Sequence, residues 1–583
     1  MQEALDGLTV KQARGKMLGG SSGINYMQTT FAGQRDLDDW ETLGNDGWNY
    51  ATMAPYYKKF ENFQTPQDFV EAFGFSEYNQ PEIHGAGGPI NVSFAPWYTD
   101  IQLAWTPTLK NMGLAPSPGD PRDGKSLGGY TNPLAMTRGI AQRSFAGNSY
   151  WLPFADRPNL HVITGSVVNK IVFSSDRSGD LVATGLNFTS NNQTYIVNAT
   201  KEVIVSGGTM KSPQMLELSG IGSPSILQAQ GVEVLYDNPN VGENLQDHPQ
   251  CGAAFTPNDG ELNFDQLFNE TQLQHWIDVY NTNQTGLLTS GITQTAQLAW
   301  HQILGPHQQS RPEDMVRQLY NGSEIPGKPG LKEQLDLTTK KLLDPLDQAI
   351  QTGTLAGTGR KPIQGQENTV ANIGGFVAHP LSRGWIHIAS PSADVDPKFD
   401  PRYLSHPLDY EVLRDLVLFS LNISATAPMS THLKGNGTEL AGGLQFLNET
   451  NVRDIINKSF ITGWHVVGSN AMGPRDKGGV VDNRLKVYGT RNVRVVDASV
   501  VPLHVRGNTG TLTYAIAERG ADIVKVDGGY VVDETYAKEG LPGRDGGGGG
   551  TTFTGGAGGR VSVGRGKVIM GMLVGMAVGM LML

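Results

Sequence analysis

The run Val203-Ile-Val-Ser-Gly-Gly-Thr-Met-Lys-Ser-Pro-Gln-Met-Leu-Glu-Leu-Ser-Gly-Ile-Gly222 constrains the fold more than any other stretch of this chain. A short apolar strand enters a double-glycine turn, and Ser212 followed by Pro213 has the form of an N-cap with proline at the first helical position. A helix over residues 213–218 is expected to stop at Gly220. Strand, tight turn and helix together can set a helix N-terminus beside a phosphate, although a purely structural βα unit reads the same way. Strand-like runs recur at residues 161–164, 170–173, 202–205, 385–388 and 493–496, and helical spacing at 272–280, 331–350 and 512–524. The mixture predicts an α/β (α+β) fold, with residues 223–375, richer in Gln, Asn, Asp and Leu, forming a separate lobe.

Composition narrows the function classes. With 38% apolar and 17% charged residues, the 583-residue chain can build a large core and is not a disordered protein. A net charge of −11 without long basic runs gives no electrostatic reason for a nucleic-acid partner. The one cysteine, Cys251, excludes an internal disulfide framework and multi-Cys metal sites, and no metal site is expected. It reads as a small buried hydrophobe.

Residues 527–567, with the homopolymer Gly546 to Gly550, read as a flexible linker. Residues 568–583 are uncharged and apolar to the end, short of the ~20 residues of a spanning helix. Small residues near 555–559, a basic spacer and this apolar stretch match a lipid-anchor signal, with a tail anchor as the alternative. Eleven N-x-[ST] sequons favour a glycosylated, secreted or cell-surface protein. The opening residues carry no signal-peptide pattern, so the chain is expected to have lost its beginning.

Two further segments carry candidate chemistry. Residues 13–27 contain Gly19-Gly-Ser21-Ser-Gly23, whose adjacent glycines let backbone approach a ligand and whose serines can face an anion. The same five residues match the nucleophile elbow of a serine hydrolase, but only eighteen residues precede Gly19, where an elbow needs several earlier strands. In the C-terminal part, His465 sits in a glycine-punctuated loop, and the strand of residues 493–496 ends in Asp497 before a helix opens near Asn508. Ligands gather at such strand ends.

Taken together, these three segments resemble the signatures of the glucose-methanol-choline family of flavin-dependent oxidoreductases, over roughly residues 5–526. The resemblance implies FAD on a Rossmann-like domain (residues 1–222), a substrate lobe (223–375) and a catalytic segment (376–526) completing both. It implies hydride transfer from the CH–OH carbon of an alcohol or sugar to flavin N5, with oxygen or a quinone as final acceptor. His465 falls on the catalytic base and Asn508 on the second active-site position, for which His504 competes. Ser21, Asn25 and Tyr26 would lie along the FAD, Val168 at its adenine end, and Trp464, Asp497, Ala498 and Thr509 around the flavin. No G-x-G-x-x-G occurs, so the expected domain lacks its first βαβ unit. A non-catalytic glycosylated surface protein of the same fold, no longer binding FAD, is the alternative.

Overall fold

The computed structural model describes residues 2–64, 80–175, 179–324, 326–356, 370–441 and 446–532. The linker beyond 532 and the apolar terminus lie outside the described residues. Val203–Val205 pairs in parallel with Val493–Val495, so strands almost 300 residues apart in sequence become neighbours. Both are Val-rich and mostly buried, as suits a parallel layer covered by helices. Helix Gly208–Leu218 follows the first strand, and helix Thr509–Asp527 follows the second after a connection that includes the 3-10 turn Ala498–Val500. An antiparallel sheet of Ser166–Ser175, Leu181–Ser190 and Gln193–Asn198 flanks this layer.

The second layer is a six-stranded antiparallel sheet in the order Ile461–Thr462, Pro249–Phe255, Ala371–Val377, Ile350–Ala356, Gln294–Leu298, Gly128–Thr131. It therefore draws strands from both sides of residues 223–375. Helix Pro407–Ser424 covers Pro249–Phe255 and Ala371–Val377. Pro249, Cys251, Ala253 and Phe255 alternate inward, the period-2 burial of a one-sided sheet. Cys251 is free and buried, and burial pushes its thiol up to about 12, which leaves it inert. At the centre of the sheet Gly252 faces Gly374, where an added Cβ on Gly374 would stand 2.4 Å from the Gly252 Cα.

Three local expectations are corrected. Residues 161–164 are not a strand: they have no strand partner among the described residues and are exposed, and the strand begins at Ser166. The 331–350 pattern splits into helix Leu331–Leu343 and a strand from Ile350, because Pro345 disfavours helix at Asp344. Ser212 is not the N-cap. The helix starts at Gly208, with Gly207 as its cap, and Pro213 lies in the second turn.

One buried ionic cluster ties the layers together. Lys341 on helix Leu331–Leu343 places its ammonium 2.9 Å from Asp36 and 3.0 Å from Asp39, on helix Gln34–Thr42. Asp36 also accepts the N–H groups of Gly33 at 2.8 Å and Arg506 at 2.9 Å. Burial alone would raise the Asp36 carboxyl, yet Lys341, His379 and these donors hold it well below the usual carboxylate range. Lys341→Ala leaves two buried carboxylates without their cation, and stability should fall by about 3–5 kcal/mol. Urea denaturation checks this; a loss below about 1 kcal/mol would mean that the cluster contributes little.

Candidate active site

The site lies where loop Gly463 to Gly468, the start of helix Thr509–Asp527 and the edge of the antiparallel sheet meet. His465 is held from every side. Its backbone N–H donates to Asp247 Oδ1 at 2.8 Å, its Nδ1 lies 2.9 Å from His248 Nδ1, and its Nε2 lies 3.0 Å from Asn508 Nδ2. Asn508 in turn accepts from Gln351 Nε2 at 3.2 Å through its Oδ1, and its backbone N–H donates to Thr30 Oγ1 at 2.7 Å. Burial, reinforced by His504 and Arg14, lowers the His465 pKa to about 3, so the ring is neutral at physiological pH.

The two candidates for the second position separate clearly. Asn508 touches the His465 ring, whereas His504 is 1% exposed and its Nε2 donates to the His465 carbonyl at 3.0 Å. His504 Nδ1 accepts the Val505 N–H at 2.9 Å, which completes the ring's bonding. It supports the loop from behind.

Around this pair the remaining candidate positions fall into groups. Trp464 adopts a left-handed φ of 54°, and its carbonyl accepts from Arg14 at 2.8 Å. Asp497 is buried at the end of its strand, where Oδ2 accepts the Gly208 N–H at 2.9 Å and the Ser212 hydroxyl, and Oδ1 accepts Ser499 N–H at 2.8 Å. Burial raises the Asp497 pKa against these bonds. Thus Ser212 acts through Asp497 and through the Gly207 N–H it accepts at 2.9 Å, joining two of the three segments. Ala498 is half-buried beside Asp497, and Thr509 and Gly510 begin the long helix.

In the first segment, Ser21 accepts the Gly15 N–H at 3.1 Å and Ser22 donates to the Gly19 carbonyl, so both hydroxyls stabilise a backbone turn rather than meeting a histidine base. Asn25 holds Arg143 at 2.7 Å and lies 3.6 Å from the position of a Gly510 Cβ. Tyr26 is half-buried, and burial pushes its hydroxyl up to about 12. Val168 stands apart. It pairs with Phe188 on the flanking sheet, which is tied through Ile171 to Ser219, at the opposite end of helix Gly208–Leu218 from Asp497.

Several participants escaped the sequence reading. Asp247 and His248 form the sequence Gln246-Asp-His-Pro249 ahead of a strand, a polar cluster that could have been weighed. Gln12, Gln351, Thr462 and Tyr403 lie in segments with no motif to mark them.

The donor set suits the ring end of a flavin. Helix Thr509–Asp527 begins without a side-chain cap from Asn508, so its first N–H groups can meet a carbonyl oxygen or an anion, and exposed Asn25 borders the same end beside Gly510. Together, a parallel βα layer and an antiparallel sheet with a half-buried His–Asn pair between them suit a flavoprotein oxidoreductase. Residues 3–250 and 380–517 match the two GMC oxidoreductase family models. The chain belongs to the GMC oxidoreductase family, and its cofactor is FAD. It is 30% identical to "Dehydrogenase mpl7" of Monascus purpureus, covering 89% of this chain and 84% of that protein. It is 32% identical to "GMC oxidoreductase family protein Mala s 12" of Malassezia sympodialis, covering 88% and 79%. The fold matches an FAD-dependent oxidoreductase from Chaetomium thermophilum with TM-score 0.81 at 27% identity, over 91% of this chain and 89% of that one. It also matches a fungal aryl-alcohol oxidase with TM-score 0.77 at 24% identity, over 90% and 88%.

Burial of neutral histidines makes stability depend on pH in a defined direction. Burial lowers the His504 pKa from 6.5 to about 4, so between these values the unfolded chain binds a proton that the folded chain excludes. Its contribution is complete above pH 6.5 and is lost as pH falls towards 4. His504→Gln, which keeps a donor for the His465 carbonyl, should flatten the stability-pH slope in that window by up to about 1.4 kcal/mol per pH unit. Denaturation curves at pH 5 and 6 check this; parallel slopes in both proteins would show that His504 is not held neutral.

Proposed function

We propose that the protein oxidises the CH–OH group of an alcohol or sugar, with His465 as the base and Asn508 as an amide that orients the substrate oxygen. The observation that carries this reading is the contact of the neutral, half-buried His465 ring with the Asn508 amide at the start of an uncapped helix. FAD, when bound, supplies a hydride acceptor at flavin N5. His465 has a low proton affinity, so it would not strip a hydroxyl of its proton beforehand. As hydride leaves the carbinol carbon, however, the oxygen takes on carbonyl character and its proton becomes strongly acidic, so a weak base suffices. The proton then rests on His465, and Asn508, which does not titrate, keeps its hydrogen-bonding capacity throughout. The likeness to an aryl-alcohol oxidase supports an alcohol substrate, and oxygen or a quinone is the acceptor class we propose.

His465→Ala should slow flavin reduction by alcohol by about 10²–10⁴-fold while FAD stays bound. Anaerobic stopped-flow absorbance reads the rate, and undiminished reduction would overturn the base assignment. Asn508→Ala should impair reduction more than His504→Gln does.

We also propose that the protein is a secreted or cell-surface glycoprotein, with attachment to the membrane through the C-terminal tail. In support, the sequon asparagines 192, 198, 269, 283, 321, 422, 436 and 448 are exposed, while Asn91, Asn187 and Asn457 are half-buried. Among the described residues no helix is long and apolar enough to cross a membrane. Treatment of protein from its native source with peptide N-glycosidase should lower its mass; an unchanged mass would refute glycosylation.

A further inference from the structure

We propose that His248 is a positioning residue for the catalytic base: its unprotonated Nδ1 fixes the tautomer of His465 that leaves the lone pair on Nε2. The inference rests on the reading of His465 as base, and it begins from atoms that have no choice. His248 Nε2 lies 2.9 Å from the Ala378 carbonyl and 3.2 Å from the Val505 carbonyl. Carbonyl oxygens only accept, so Nε2 must carry a hydrogen. A second hydrogen would put a charge on a ring that burial shuts off from water. It is fully buried and sandwiched between Phe376, at 4.2 Å and 7° from parallel, and His504, at 3.7 Å. Burial and the neighbouring His504, His465 and His379 rings hold its pKa well below the ordinary value.

A neutral ring with hydrogen on Nε2 presents a bare Nδ1. His465 Nδ1, at 2.9 Å, must therefore donate to it, and the neutral His465 ring is left with its lone pair on Nε2. The Asn508 amide agrees independently. Its Oδ1 faces Gln351 Nε2 at 3.2 Å, so its NH₂ group faces His465 Nε2 at 3.0 Å and needs an acceptor there. Four hydrogen bonds thus run in one direction, from Gln351 through Asn508, His465 and His248 to Ala378. The opposite tautomer of His465 would set two lone pairs against each other at one nitrogen and two donors against each other at the other. As hydride leaves the carbinol carbon, the hydroxyl proton passes to Nε2: the O–H bond breaks, its electron pair completes the carbonyl and the N–H bond forms, while Nδ1–H stays bonded to His248. Asp247, which accepts the backbone N–H groups of His248 at 2.9 Å and His465 at 2.8 Å, keeps the two rings in register.

Two substitutions in the flavin-loaded enzyme separate the acceptor from mere packing. His248→Asn puts an amide oxygen where Nδ1 stands and keeps the acceptor; His248→Gln reaches the Ala378 carbonyl but offers His465 none. Flavin reduction by alcohol should stay within about tenfold of the natural enzyme for His248→Asn and fall by about 10²-fold or more for His248→Gln, with apparent substrate affinity changed little in either. Equal rates for the two variants, whether high or low, would overturn the role of His248. Nitrogen NMR of histidine-labelled enzyme gives a second readout that does not depend on any variant folding: His465 should carry its hydrogen on Nδ1. Hydrogen on Nε2, with His465→Ala inactive, would overturn this inference alone. Undiminished reduction by His465→Ala would overturn the base reading itself, and with it the purpose of His248.

Discussion

The carboxylate of Asp247 is the point on which the site depends. A buried charge needs donors on all its lone pairs, and here the chain supplies five, four of them from distant segments. Oδ1 takes the backbone N–H groups of His248 and His465; Oδ2 takes Gln12, Thr462 and Tyr403. The N-terminal segment, the first residues of the central sheet strand, the loop before helix Pro407–Ser424 and the catalytic loop therefore close around a single group. Trp464, between two residues bonded to this carboxylate, is held in a left-handed conformation that such a large side chain does not favour alone. Loop geometry and ring placement are two results of one electrostatic requirement.

Charge and neutrality are divided between two neighbouring regions. Behind the site, Lys341 pairs with both Asp36 and Asp39 and links the lobe to the N-terminal layer. His379 spans the gap, with one nitrogen 3.3 Å from Asp36 and the other 3.3 Å from the His504 carbonyl. In front, His248, His465 and His504 are all kept neutral by burial. Neutral rings can be tied together by directional hydrogen bonds without mutual repulsion, and each bond is stronger in the low dielectric of the interior. On the proposed mechanism, a proton taken up by His465 would be a new charge in this neutral cluster, on a loop whose backbone Asp247 already holds.

Much of this was legible in the sequence, and the reasons for success and failure are physical. Glycine-punctuated segments announce themselves because turns near a ligand need backbone without Cβ, and so the double-glycine turn at 207–208, the catalytic loop and the helix opening after Asn508 could be found. Ser212-Pro213 misled because an N-cap pattern is local, while Ser212 is claimed by Asp497, which is remote in sequence. Residues 161–164 are apolar enough for a strand but have no partner among the described residues, and pairing is not written in a single segment. Strand Gly128–Thr131 joins the lobe sheet from outside the glutamine- and asparagine-rich region, since sheet order follows long-range pairing rather than composition. His248 was invisible for the same reason: a lone histidine before a proline shows its purpose only when His465, 217 positions later, lies against it.

Asn508 shows how the fold gives up local stability for this arrangement. It occupies the N-cap of a 19-residue helix, and asparagine is among the best capping residues, yet its side chain makes no capping bond. Its amide is turned away to Gln351 and His465. The forgone cap is worth about 0.5–2 kcal/mol by ordinary measure. The backbone is secured by other means, with Thr30 accepting the Asn508 N–H through its hydroxyl and the Thr511 hydroxyl through its carbonyl. Because Thr30 carries the anchoring, the asparagine amide is released from helix duty, and the helix start stays open to a ligand oxygen beside the ring that would take the proton. A residue that capped its own helix could not also face His465, so the uncapped end and the Asn508–His465 contact follow from the same choice of rotamer.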